Sequence, residues 1–175
     1  MGKIKVCHVF GYGPDKLGGI ENYIFALQDY CKQHEIEITF VFTREPITEF
    51  KKILLEKKGH YIVVPHDKTV LDVKFLFRLF TTLKNLKPHI LHSHFDSVNL
   101  HVAILGKIVG AKKVFWHQRN IFGRRFNYIR NVVYRILSLR VTKILAVSES
   151  IKEDLISRKI PSSKIEVIDN GIKIL

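Results

Sequence analysis

A regular alternation of short β-branched runs with longer segments of helical period is the strongest constraint on this chain. Lys3–Phe10 is apolar enough for a buried strand, and Ile20, Tyr23, Ile24, Leu27 and Cys31 then recur at helical spacing to form one stripe. Ile36–Phe42 alternates as a second strand, Glu49–Lys58 is a short helix closed by Gly59, and Tyr61–Val64 is a third strand stopped by Pro65. A helix over Asp72–Leu86 ends before Pro88, because a residue preceding proline resists the α conformation. Strand and helix then follow in turn over Ile90–His94, Ser97–Val109, Lys113–His117, Tyr128–Leu139, Lys143–Val147, Ser150–Arg158 and Ile165–Asp169. Such alternation predicts βαβ units: an α/β fold with a parallel sheet and helices on both faces, in a single domain over residues 1–175. A chain of this length buries ~70% of its unfolded surface.

In parallel sheets of this kind a ligand sits beyond the carboxyl ends of the strands, so the loops there carry the candidate chemistry. The first loop ends in Gly18 and Gly19 at the start of a helix, followed by Glu21. Glycine lets a backbone N–H approach a ligand closely, and the helix dipole favours an anion such as a diphosphate; a plain turn is the competing reading. The dinucleotide fingerprint fails, because Gly11-x-Gly13-x-x-Lys16 lacks its third glycine and no acid follows the second strand. His92-Ser-His94-Phe-Asp96 offers two imidazoles and a carboxylate. A hydrolase metal site on His92, His94 and Asp96 is one reading. The favoured one packs His92 in the sheet, turns His94 to the cleft and lets Asp96 or Ser97 cap the next helix, with no metal. His117, at the end of Lys113–His117, can hold a substrate hydroxyl and accept its proton, since imidazole titrates near neutrality. Arg119 offers a fork of donors to a phosphate or carboxylate, unless it is merely solvated.

Charge narrows the partners. The formal net charge is +13, and from Ser97 to Ser148 there is no acid, while ten basic residues occur, among them Arg119, Arg124, Arg125, Arg130, Arg135 and Arg140. Phe122, Phe126, Ile129, Val133, Ile136 and Leu137 interleave with those arginines, a basic amphipathic pattern suited to an anionic membrane surface. Arg124, Arg125, Arg130 and Arg135 are the expected membrane contacts. Nucleic acid is not favoured, since no aromatic stacking platform or recognised binding motif is present. Only two cysteines, no apolar run near the ~20 residues that span a bilayer, and no signal-peptide core lead to the expectation of a cytoplasmic protein, peripheral at the inner face of the membrane.

Gly18-Gly-Ile-Glu-Asn-Tyr, Pro88-His-Ile-Leu-His-Ser-His, Val114-Phe-Trp-His, Ile144-Leu-Ala-Val-Ser-Glu-Ser and Val167-Ile-Asp-Asn-Gly-Ile together resemble family-4 (group 1) glycosyltransferases. The likeness is to the N-terminal, acceptor-binding lobe of their two-lobed, Rossmann-like GT-B fold, and it covers essentially the whole chain. It implies retaining transfer of a sugar from a nucleotide-diphosphate donor to an acceptor hydroxyl, in bacterial cell-surface polysaccharide or glycolipid synthesis, without metal or resident cofactor. Carried over by position, Gly18 and Gly19 approach the donor diphosphate, His117 is the histidine near the reacting centre, Ser148, Glu149 and Asn170 line the cleft, and His94 meets the acceptor; Glu21, Asp96 and Arg119 complete the candidate substrate-binding set. Two positions depart from the family pattern: Gln118-Arg119 stands where glycine often follows the histidine, and Lys173 where an acid is usual. The resemblance does not extend to the donor lobe, where the family carries its Glu-x7-Glu element. The expectation is therefore a half enzyme, an excised domain or one subunit of a split transferase, inactive without a donor lobe in cis or in trans. The alternative is a basic Rossmann-like module that recruits a partner to an anionic membrane.

Overall fold

The computed structural model describes residues 2–67, 72–121 and 128–169. Seven strands form one sheet: β1 (Lys5–Phe10), β2 (Glu37–Phe42), β3 (His60–Val63), β4 (Ile90–His94), β5 (Lys113–Gln118), β6 (Lys143–Ala146) and β7 (Ile165–Val167). Between them run α1 (Gly19–Gln33), α2 (Thr48–Glu56), α3 (Val73–Leu86), α4 (Asp96–Ile108), α5 (Tyr128–Ser138) and α6 (Glu149–Ser157), with a short 3-10 turn at Ser162–Lys164 before β7. Strand order is β3-β2-β1-β4-β5-β6-β7 and every pairing is parallel. The expected elements are all present, with ends displaced by a residue or two, and the chain has the expected Rossmann-like α/β fold.

The sheet divides its side chains by parity, as the pleat requires. Val41, Cys7, Val9, Leu91, Val114, Trp116, Ile144 and Ala146 pack with α3, α4, α5 and α6 in one buried cluster. Ile38, Phe40, Phe42 and Phe10 pack with α1 and α2 in a second cluster on the opposite face. Further along that second face Phe115 and Leu145 are half-buried and belong to neither cluster. Connections leave β1 in one direction and β4 in the other, so the sheet reverses its winding between these two neighbours. That reversal opens a crevice at their carboxyl ends.

Several helix ends follow from local chemistry. Asp72 caps α3: one carboxylate oxygen accepts from Phe75 N at 2.9 Å and the other from Asp67 N at 3.0 Å. Ser148 caps α6, accepting from Ile151 N at 3.4 Å. The start of α4 departs from expectation. Neither Asp96 nor Ser97 caps it; Phe95 occupies the cap position at φ 76°, and the Ser97 hydroxyl donates instead to the Gly11 carbonyl at 3.4 Å. A positive φ at a bulky residue stores about 1–3 kcal/mol of strain, and it tends to persist where a ligand site over-determines the backbone.

Candidate functional site

At the β1/β4 reversal, the loop after β1 and the start of α4 face each other across an open cavity of about 420 Å³. Gly11, Gly18, Gly19 and Glu21 form one wall; Phe95, Asp96 and Ser97 form the other. The volume lies in the range of small-molecule sites. Tyr12, Asp15, Lys16 and Ile20 complete the lining, so carboxylates that accept from hydroxyls stand beside an ammonium and a helix N-terminus that attract an anion.

Glu21 is buried, and its role is architectural: Oε2 accepts from Gly18 N at 3.0 Å and Oε1 accepts from the Tyr12 hydroxyl at 2.9 Å. The carboxylate thereby holds the glycine turn to the loop. Gly19 faces open space, since a Cβ there would meet nothing within 4 Å. Gly11 has no such room, because its Cβ would run into the Ser97 side chain.

Beside the cavity, β1, β4 and β5 present a row of imidazoles on the α1 face: His8, His92, His94 and His117. Register makes His8 the partner of His92, and His94 the partner of His117. His94 is completely buried, stacked on Phe10 at 4.2 Å between centroids and capped by Tyr23 at 5.9 Å. It lies beneath the crevice and presents no surface to a ligand, unlike the cleft-facing position expected for it. His117 is 6% exposed, and neither ring nitrogen has a hydrogen-bond partner among the described residues. Burial, with the Arg119 charge beside it, pushes the His117 pKa down to about 3. Burial thus favours the neutral imidazole at His117 in place of a ring titrating near neutrality, and a neutral ring can exchange hydrogen bonds with a hydroxyl. Arg119 is not a solvated side chain either. Its guanidinium lies 5.1 Å from the Tyr23 ring centroid, half-buried over the same histidine row.

The loop that carries these groups is fixed from the opposite face. Ser93 donates to Asn99 Oδ1 at 2.6 Å, Asn99 Nδ2 donates to Gln118 Oε1 at 3.2 Å, and Gln118 Nε2 donates to the Asn120 carbonyl at 2.7 Å. Gln118, one of the departures from the family pattern, thus ties the end of β5 to α4.

The remaining expected residues are dispersed. Ser148 and Glu149 lie two strands from β4 on the same sheet edge; Ser148 is engaged as a cap and Glu149 pairs with Lys152 at 2.9 Å. Asn170, Arg124 and Arg125 lie outside the described residues. Arg135 is exposed on α5, but Arg130 turns inward, 3.9 Å from Asp96. The His92, His94 and Asp96 metal set does not assemble: the histidines cluster with His8 instead, and Asp96 is drawn to Arg130. Sequence reading missed His8, Tyr12, Lys16 and Tyr23. Only Lys16 carried a local signal, a cation in the glycine loop.

Three comparisons bear on this geometry. The family model of Glycosyltransferase Family 4 matches residues 17–174. No curated protein matches. Among solved structures, the fold is similar to HepE from Anabaena in complex with UDP, with 17% identity over 97% of this chain and 44% of that one and a TM-score of 0.72. It is similar to a glycosyltransferase from Rickettsia africae, with 18% identity over 98% and 44% of the two chains and a TM-score of 0.72. It is also similar to the lipopolysaccharide outer core galactosyltransferase WaaB, with 17% identity over 98% and 47% of the two chains and a TM-score of 0.71. The chain thus spans less than half the length of these structures, as one lobe of the GT-B fold does.

Proposed function

Because the chain belongs to Glycosyltransferase Family 4, we propose that it is the acceptor-binding lobe of a retaining enzyme that transfers a sugar from a nucleotide-sugar donor to an acceptor hydroxyl in bacterial cell-surface polysaccharide or glycolipid synthesis. The observation that carries this reading is the cavity at the β1/β4 reversal, with carboxylate, ammonium and helix N-terminus on its walls and His117 and Arg119 alongside. A sugar acceptor presents many hydroxyls, and Asp15 and Asp96 accept from such groups. The neutral His117 ring is left to orient the reacting hydroxyl. The N-terminus of α1 at Gly19 faces the leaving diphosphate and favours its charge. HepE binds UDP and WaaB transfers galactose; here donor nucleotide, donor sugar and acceptor are assigned by class alone. The reaction asks for no metal or resident cofactor. The donor is gripped mainly by a second lobe, supplied in cis or in trans, and this lobe turns over little by itself.

Saturation-transfer NMR on the chain with a panel of bacterial glycan and glycolipid acceptors tests the reading. An acceptor signal that is lost in His117→Ala and Asp96→Asn but kept in Glu153→Gln supports it. UDP-glucose should bind no tighter than about 1 mM, roughly −4 kcal/mol. No acceptor binding at all, or micromolar binding of the nucleotide sugar to this lobe alone, overturns it.

A second reading, the basic module that recruits to a membrane, is favoured by α5. Tyr128, Ile129, Val132, Val133 and Ile136 are exposed on one side of it, opposite the buried Tyr134 and Ser138, and Leu139 is exposed just beyond its end. Membrane attachment is compatible with glycosyl transfer to a lipid-borne acceptor, and the two readings share that surface.

A further inference from the structure

Outside the cavity, the unexplained feature of the molecule is its row of inward-facing imidazoles. One ring nitrogen from each of His8, His92 and His94 lies within 4.8 Å of the others. Ring centroids are 4.7 Å apart for His8 and His92, 5.1 Å for His8 and His94, and 4.4 Å for His92 and His94. One contact is already made, His8 Nδ1 to His94 Nε2 at 2.9 Å. His92 Nε2 and His94 Nδ1 are buried without a partner among the described residues, and such atoms in a native fold call for an unseen water or ion.

The arrangement is a ligand set by construction. His92 and His94 are two residues apart on one strand, so both project to the same face, and the neighbouring parallel strand places His8 directly opposite His92. In a tetrahedral site with metal–nitrogen bonds of about 2.0–2.1 Å, ligand nitrogens stand roughly 3.3 Å apart. We propose that His8, His92 and His94 bind one borderline divalent transition cation, zinc by preference, through three neutral imidazoles, with the fourth position open to water or an anion.

Several features of the site fit this. Three imidazoles with an open position match the ligand preference of zinc and its neighbours, and exclude calcium and magnesium, which take oxygen. His92 is half-buried, the one of the three rings that is not fully buried, and lies beside the half-buried Phe115. Arg119 works against a cation here, because its charge reaches all three rings. The site is therefore a regulatory or stabilising one of moderate affinity rather than a permanent structural centre. Its place beside His117, at 5.1 Å from His94 and 5.4 Å from His92 between centroids, lets an ion stiffen the β1–β4 junction at the floor of the crevice. The proposal does not depend on the glycosyltransferase reading and can fail independently of it.

Metal-stripped protein comprising residues 1–175 is titrated with Co2+ at pH 7.5 and, separately, loaded with Zn2+ and counted by elemental analysis after desalting. One bound equivalent with the visible d–d absorption of four-coordinate cobalt is expected. His92→Gln should lower the affinity at least tenfold and abolish the band, with its circular dichroism unchanged, since His92 is the most accessible of the three. His34→Gln and His60→Gln, at exposed positions, should leave both signals intact. His8→Gln and His94→Gln add weight if they fold. Absence of a stoichiometric equivalent in the wild type, or an octahedral cobalt spectrum indifferent to His92→Gln, overturns the proposal.

Discussion

Single residues at the glycine loop separate fold from function. Gly19 opens α1, and a methyl group added there meets nothing within 4 Å, so Gly19→Ala removes a helix-unfavourable residue without a clash. Its gain is a few tenths to about 1 kcal/mol. The same methyl group stands in the cavity mouth where a diphosphate would approach the α1 N-terminus. Gly11→Ala does the reverse: it drives a Cβ into Ser97 and should destabilise by about 1–3 kcal/mol, as overpacking does. Urea unfolding of both variants, paired with NMR shift perturbation by inorganic pyrophosphate, checks the pair. A Gly19→Ala protein that is destabilised, or that binds pyrophosphate as the wild type does, refutes this account of the loop. At this scale legibility was uneven. Gly18 and Gly19 were readable because a glycine pair opening a helix signals by itself. His8 and Tyr23 were not, because their partners come from β4 and β5, far along the chain, and adjacency of β1 to β4 is a matter of strand order that a lone sequence does not state. Phe95 was equally hidden, since nothing about phenylalanine announces a positive φ.

Among the elements, α4 carries the most consequential buried polar group on the face opposite the histidine row. His101 is fully buried against Phe75 and His66, its Nε2 accepting from Asp72 N at 3.3 Å. Burial, aided by His66 and opposed by the Asp72 carboxylate, pushes its pKa down to about 4. The unfolded chain, with an ordinary histidine near 6.5, then binds more protons than the folded one between those values. Stability contributed by neutral His101 is thus complete above about pH 6.5 and is lost as pH falls toward 4. The loss amounts to at most about 3 kcal/mol, since every tenfold difference in proton affinity between the two states is worth ~1.4 kcal/mol. His101→Gln keeps an acceptor for Asp72 N but cannot titrate. Its thermal midpoint should fall less steeply than that of the wild type between pH 7 and pH 4.5, and parallel slopes would show that His101 is not the group responsible. Element order and most boundaries were legible because strand alternation and helical spacing are local. The α4 start was not, because the Ser97 hydroxyl donates to the Gly11 carbonyl across the crevice instead of accepting from an N–H of its own first turn.

For the whole molecule, the governing quantity is the uneven field. A net charge of +13, with ten basic residues and no acid between Ser97 and Ser148, gives the protein a strong attraction for anions. The structure adds what composition could not: α5 turns Ile129, Val133 and Ile136 outward, away from the sheet they were equally suited to cover, because Tyr134 and Ser138 occupy the buried side. The charges also divide. Arg130 is held at Asp96, leaving Arg135 and Arg140 as exposed cations on this helix and just beyond it. On the membrane-recruitment reading, an anionic bilayer would meet both halves of this surface, the apolar side chains entering the headgroup boundary and the guanidinium groups meeting phosphate. Binding should then respond differently to two kinds of substitution. Arg135→Ala with Arg140→Ala removes roughly 1 kcal/mol per charge, weakening vesicle binding about thirtyfold at low salt and far less above about 0.5 M, where exposed charges are screened. Ile129→Ser with Ile136→Ser weakens it at every salt concentration, because apolar burial is not screened. Co-sedimentation with vesicles containing phosphatidylglycerol, against vesicles of phosphatidylcholine alone, separates the outcomes. Equal binding to both lipids, or a salt response unchanged by the arginine pair, would assign the exposed side of α5 to a protein partner instead.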